Sequence, residues 1–347
     1  MGSITALDLP AHAEWALALA RSPRRALRAL RDRRADPGRF LRPGAVPGEV
    51  LGRSPRARVL FTTDEGLFEY DPKQGCRRLL AGHCYGLTRS AATWIVTRTD
   101  RTDHASLHDV ADRRLRTTHL FAFELGAAGA CSARSVLWGI PGEVHQIDVV
   151  GDRLCFPFVA GDLLLSAPLR ALLAGPAARS PLALRPARIG APGCTHVNSL
   201  FFDRAAARLW LVAHNDSKST GRTSELLREA EPGRFERIPT PATSAHNVYA
   251  AGEDWVMLDS GGGRVLSNRG ELHSCGRWLR GLCVGPDFLL IGASDVEPER
   301  LLRHTSDTEL VELQLDGAVA GSIRFRGIGP INEIRRVDGA DASMSMG

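Results

Sequence analysis

From about residue 55 onward the chain alternates apolar runs of four to seven residues with short clusters of Gly, Asp, Asn and Pro, and no long stretch carries helical spacing. That pattern predicts an all-β domain. Residues 11–34, "AHAEWALALARSPRRALRALRDRR", differ: leucines and alanines recur at helical spacing between arginines, with Pro23 dividing the segment. They predict a helical arm, followed by a linker marked by Pro37, Pro43 and Pro47.

The apolar runs fit one template: a polar opening residue, an apolar strand, a tight turn such as "GD" or "GED", a second apolar strand, then an Asp- or Gly-rich turn. Matches open at His83, His145, His196, His246 and Arg280. A sixth copy is split. "GIGPINEIRRVDGAD" near the C-terminus supplies its opening strand, with Asn332 in the opening position, and "ARVLFTTDEGLFEYDP" near residue 58 supplies the strands that follow. The six positions lie 62, 51, 50, 34 and 52 residues apart, close to a four-stranded blade of roughly 40–50 residues. The expected architecture is a six-bladed β-propeller over residues 51–340 with ring closure by the N- and C-terminal segments, a helical arm and linker over 1–50, and a disordered tail over 341–347.

In a blade the innermost strand lines the channel and the second returns beside it. The template therefore gathers His83, His145, His196, His246, Arg280 and Asn332 around the channel mouth, with Asp64, Asp100, Asp162, Asp216, Asp259 and Asp295 in turns on the same face. A lone strand-opening histidine is ordinarily a structural residue. Four at equivalent places point instead to a metal or substrate site, because neutral imidazoles gather with purpose around a cation. Histidine ligands suit one transition metal ion, zinc, iron(II) or copper, and suit calcium and magnesium poorly. Glu143 and Tyr85 are the candidate acid–base groups and Arg280 a fixed cation for a carboxylate or oxyanion. Asn198 is expected to share the histidine side of its strand and Asp148 to face away.

Composition narrows the classes. The net charge of +5 comes almost wholly from arginine, since Lys73 and Lys218 are the only lysines, a bias in the style of a GC-rich bacterial genome. Only Arg21–Arg34 is dense in cations, which disfavours nucleic acid as a partner. No run of about 18 apolar residues predicts a transmembrane segment, and no basic, apolar leader opens the chain, so the expected location is cytoplasmic. Seven cysteines without a C-x-x-C pair suit neither a disulfide framework nor a zinc knuckle. Long polar insertions after the first, third and fifth template copies carry His104, His108, His214 and His304, read as loop residues over a covered small-molecule pocket.

The blade template resembles six-bladed propellers of the broad NHL, senescence-marker/gluconolactonase and strictosidine-synthase-like group. Within it the histidine pattern is most similar to the peptidyl-hydroxyglycine amidating lyases. That resemblance implies a zinc at the axis held by His145, His196 and His246, assisted by Arg280 and by Tyr85 or Tyr249. His83 is an addition to the pattern. Gluconolactonase-type sites use acidic and amide ligands, absent from these axial positions, and the four-histidine iron of carotenoid-cleaving oxygenases is an analogy on a seven-bladed ring. The expected function is a metal-dependent small-molecule enzyme of lyase-like or oxidative chemistry, with bacterial specialised metabolism as the expected setting. The alternative is a non-catalytic propeller that binds a protein or glycan.

Overall fold

A computed structural model describes residues 9–20, 44–100, 117–126, 131–159, 161, 163–175, 179–295 and 303–338. Its strands form six antiparallel sheets of four or five strands each, the blades of a six-bladed β-propeller. The innermost strands are His83–Ser90, Asp148–Val150, Val197–Asp203, His246–Ala251, Trp278–Val284 and Ile331–Arg336, which open blades one to six.

The predicted turns explain how each blade folds back. Val150 pairs with Arg153 and Ala251 with Asp254, so Gly151-Asp152 and Gly252-Glu253 are two-residue hairpin connections. Both glycines take positive φ, which twists such a hairpin correctly. Along a blade the burial falls outward. In blade three the inner strand is almost wholly buried, whereas the outermost strand, Arg234–Pro239, is exposed or half-exposed throughout. Apolar side chains from facing sheets fill the seams: Phe201, Trp210 and Val248 join blades three and four, and Leu258, Leu279 and Ile291 join four and five.

The ring closes twice. Ile331–Arg336 pairs with Val59–Thr63, so the end of the chain supplies the inner strand of blade six and the early chain supplies the rest. Residues 44–50, assigned to the linker from sequence, instead form two short strands. Gly44–Val46 extends the outer edge of blade six and Gly48–Val50 that of blade five. Gly48 lies so close to the sheet that a Cβ there would meet Ile323 Cδ1 at 2.6 Å.

The predicted arm appears as one helix, Leu9–Ala20. Trp15 packs edge-on to Phe158 of blade two at 5.3 Å, and Glu14 pairs with Arg188. The arginine-rich stretch 21–34, the insertion carrying His104 and His108, Asp162 and the tail 341–347 lie outside the described residues.

Register shifts mark five inner strands just below the channel mouth: at 84–87, 197–199, 246–248, 280–282 and 331–333. A bulge lets one residue on the inner strand turn out of the pleat. Asn198, Asn247 and Asn332 sit in three of them, and their amides reach the next blade: Asn198 Nδ2 donates to Ala245 O, Asn247 Oδ1 accepts from Gly281 N, and Asn332 Nδ2 donates to Cys84 O. In blade two, Gln146 Oε1 accepts from Leu200 N in the same direction round the ring. Beneath this belt the axis is plugged by buried polar groups, with Arg335 Nη1 on Glu333 at 2.6 Å and Asp148 accepting from Thr88 Oγ1 and Val149 N.

Candidate active site

The predicted convergence of histidines is present at the mouth. His145 lies 5.8 Å from His196 and 6.1 Å from His246, ring centre to ring centre. His83 is set apart. Its ring and that of His145 flank Tyr85 at 4.3 and 4.6 Å, and His83 Nε2 lies 3.0 Å from Asp64 Oδ1.

The group that the sequence template omitted is His214. It directly follows the second strand of blade three, Arg208–Ala213, and stacks on His196 at 4.6 Å, with His246 at 5.3 Å. Far from being a solvated loop residue, it belongs to the cluster. Ligand atoms of His196, His214 and Asp216 all lie within 4.8 Å of one another, the only such group among the described residues. The signal was in the sequence: "AHND" closes a strand beside the "TH" that opens its partner, and antiparallel pairing must bring the two ends together.

The backbone that presents these groups is strained and tightly held. His196, Asn215 and Asp216 all have φ near +50°, a conformation that costs an L-residue about 1–2 kcal/mol, less for Asn and Asp. Several bonds fix it. His214 N donates to His196 O, Asn215 N to Thr195 O, and Thr195 N back to Asn215 Oδ1, while Asn215 Nδ2 donates to Glu225 Oε2. Burial pushes the Glu225 carboxyl up, but bonds from Asn215 and Arg237 outweigh it and hold the group below its usual value. Strain retained by so many bonds is a mark of pre-organised sites.

Hydrogen bonding assigns the imidazole lone pairs. A carboxylate only accepts, so His196 Nδ1 donates to Asp216 Oδ1 at 2.7 Å, leaving the buried Nε2 as an acceptor with no hydrogen-bond partner. Arginine only donates, so His246 Nε2 accepts from Arg280 Nη2; Nδ1 then donates to Ser260 Oγ at 2.8 Å, which donates to Leu279 O. His145 Nε2 faces Glu143 Oε2 at 3.3 Å, which puts its lone pair on Nδ1. His214 Nδ1 is buried without a hydrogen-bond partner. Burial first, then the neighbouring His196 and Arg280 charges, push the His214 imidazole down to about 3. Burial and Arg280 likewise hold His246 well below the usual histidine range. Both are neutral at physiological pH, the state that a metal ligand requires.

Arg280 completes the mouth, bonding Asn332 Oδ1 at 3.1 Å and lying 5.8 Å from the Tyr85 ring. Tyr249, the alternative phenol implied by the lyase resemblance, packs against Phe201 at 5.0 Å in the seam between blades and does not reach the site. Asn198 is spent on the interblade belt. Asp148 does not face away: residues 143–147 form no strand, so alternation counted from His145 breaks before Asp148, which turns inward between Thr88 and the backbone of Phe202. Arg264 takes Asp259, and Arg277 takes Asp295, in the remaining turns.

No protein-family model matches the chain, and no curated protein matches it by sequence. Solved structures match it in shape. A chain of a nidogen/laminin complex is 10% identical, with 80% of this chain and 97% of that chain covered and a TM-score of 0.56. A streptogramin B lyase is 13% identical over 80% and 78% of the two chains at a TM-score of 0.41. Catalytically inactive virginiamycin B lyase from Staphylococcus aureus with quinupristin is 9% identical over 80% and 98% at 0.42. Identities this low show the fold alone, and the class the fold defines is the six-bladed propeller. No helix among the described residues is long and apolar enough to cross a membrane.

Proposed function

We propose that this propeller is a metal-dependent small-molecule enzyme, with one zinc or iron(II) ion held at the channel mouth by His196, His214 and Asp216. The observation that carries the proposal is the convergence within 4.8 Å of one ligand atom from each of these three residues, and both histidines also carry a buried ring nitrogen that has no hydrogen-bond partner. Two imidazoles and a carboxylate with open positions make a donor set suited to those two metals. Asp216 would serve twice, its Oδ1 orienting the His196 imidazole through their hydrogen bond and its Oδ2 binding the ion. His246 Nε2 is taken by Arg280, and His83 stands behind Tyr85, so neither belongs to this set.

A metal so held supplies Lewis acidity or redox chemistry to a bound substrate, in line with lyase-like or oxidative turnover. The chain's own groups would do the rest. Glu143 and His145 form a hydrogen-bonded pair able to take or give a proton, and Tyr85 offers a phenol between the His83 and His145 rings.

The test is the metal content of untagged protein beside His214→Ala and His83→Ala variants, each checked by circular dichroism. About one zinc or iron per chain is expected in the native protein and in His83→Ala, falling at least about tenfold in His214→Ala. Loss in His83→Ala with retention in His214→Ala would restore the four-histidine set. No metal after reconstitution would leave the ring as a binding scaffold.

A further inference from the structure

Beside the histidines stands Trp278, whose ring lies 5.8 Å from that of His246. Three cations gather on this one indole: Lys218 Nζ at 5.3 Å, Arg303 Cζ at 5.6 Å and Arg280 Cζ at 5.8 Å. An indole attracts each of them, but like charges brought to one ring repel one another. Many arginines elsewhere on this protein stand against carboxylates, as Arg237 does on Glu225 and Arg264 on Asp259. Among the described residues, Lys218 and Arg280 have no such partner. Arg280 instead spends its two terminal nitrogens on His246 and Asn332, both uncharged, and its Nε is buried without a hydrogen-bond acceptor. Lys218 is brought here by the same clamped turn that presents His214 and Asp216.

We infer that Arg280 and Lys218, over Trp278, form an oxyanion-binding subsite, and that the molecule acted on at this mouth is a small organic anion whose carboxylate or phosphate docks there. The inference deepens the proposed enzymatic reading and rests on it for the word substrate; the subsite itself stands on the uncompensated charge. An arginine edge and a flexible ammonium are complementary to an oxyanion, and an incoming negative charge relieves the repulsion between Lys218 and Arg280. Placed beside His214, the subsite would fix the end of the substrate that does not react.

The experiment uses the full chain after chelator treatment and follows the thermal midpoint against benzoate, phenyl phosphate and the neutral control benzyl alcohol, at constant ionic strength in chloride. A ligand that binds the native state raises the midpoint with its concentration. The expected result is a rise with benzoate, with phenyl phosphate or with both, and none with benzyl alcohol; the stronger arm tells an organic acid from a phosphate ester. Lys218→Gln, an exposed position, should weaken binding about tenfold, and Arg280→Gln should weaken it further. Lys73→Gln, on a remote turn, should leave it unchanged. If Arg280→Gln fails to fold, Lys218→Gln decides. A rise equal in Lys218→Gln and native protein, or no rise with either anion, overturns the subsite. Zinc titrated in parallel separates the two ideas: stabilisation by zinc but not by anions removes the subsite and leaves the metal, and the converse removes the metal and leaves the subsite.

Discussion

Asp148 is a carboxylate with no exposure to solvent, accepting from Thr88 Oγ1 and the backbone of Val149 and Phe202. Burial drives its pKa upward more than Arg335 and those bonds draw it down, so folding favours the protonated form. The sign follows from linkage. A group whose folded pKa lies above its unfolded value contributes stability that is fully present below the unfolded value and is lost as pH rises through the folded one. Asp148→Asn keeps the shape and never ionises. Denaturant midpoints of the two proteins should therefore diverge with pH, the variant gaining on the native protein as pH rises above the ordinary aspartate value of 3.8. A difference that stays flat above that value would mean that Arg335 neutralises Asp148 completely.

At the scale of elements, the interblade belt rests on bulges that no pattern of apolar and polar positions announces. The hairpin turns "GD" and "GED" were legible because glycine there has a backbone reason, and the split sixth blade was legible because its two halves complete one template. Register inside the inner strands was not. Asn332 was aligned with His246, yet by strand pairing it is the counterpart of Asn247, since the two are the bulged residues of their strands. A slip of one residue exchanges the faces of a strand; Asp148 departs from expectation for the separate reason that the coil at 143–147 breaks the alternation counted from His145. His214 was missed for a different reason: the template kept only the residues that open inner strands, whereas His214 follows the return strand and meets His196 through the pairing of the two. Asn247 offers a test of the belt. Its side chain accepts from Gly281 N and donates to Glu333, and its φ is +49°. Asn247→Ala should cost about 2–4 kcal/mol, from an unsatisfied buried amide plus backbone strain. Asn247→Gly relieves the strain alone and should recover about 1 kcal/mol of that loss in urea denaturation.

For the whole molecule, the two closures are unequal, and the inequality decides what holds the ring shut. The strand Ile331–Arg336 brings Ile331 and Ile334, both fully buried, into the seam with blade five, and Glu333 and Arg335 into the axis. Its removal would take away the inner wall of blade six and uncover a face of blade five at once. The strap 44–50 is largely exposed and covers chiefly Ile323 and Phe325 from outside. A ring whose blades each lean on two neighbours loses cooperativity when one inner strand is lost, whereas an outer edge strand adds only local pairing. Ile334→Ala should accordingly cost about 2–5 kcal/mol, and a chain ending at Gly329 should show no sharp thermal transition and should bind a hydrophobic dye. A chain beginning at Leu51, measured against a reference chain beginning at Gly44 so that both lack the helix Leu9–Ala20 with its Trp15–Phe158 contact, should keep a sharp transition, its midpoint lowered by about 2–4 °C for each kcal/mol of lost edge pairing. Calorimetry on the three variants separates the roles: equal damage from both truncations would make the strap a full partner in closure and the seam at Ile334 no more than one contact among many.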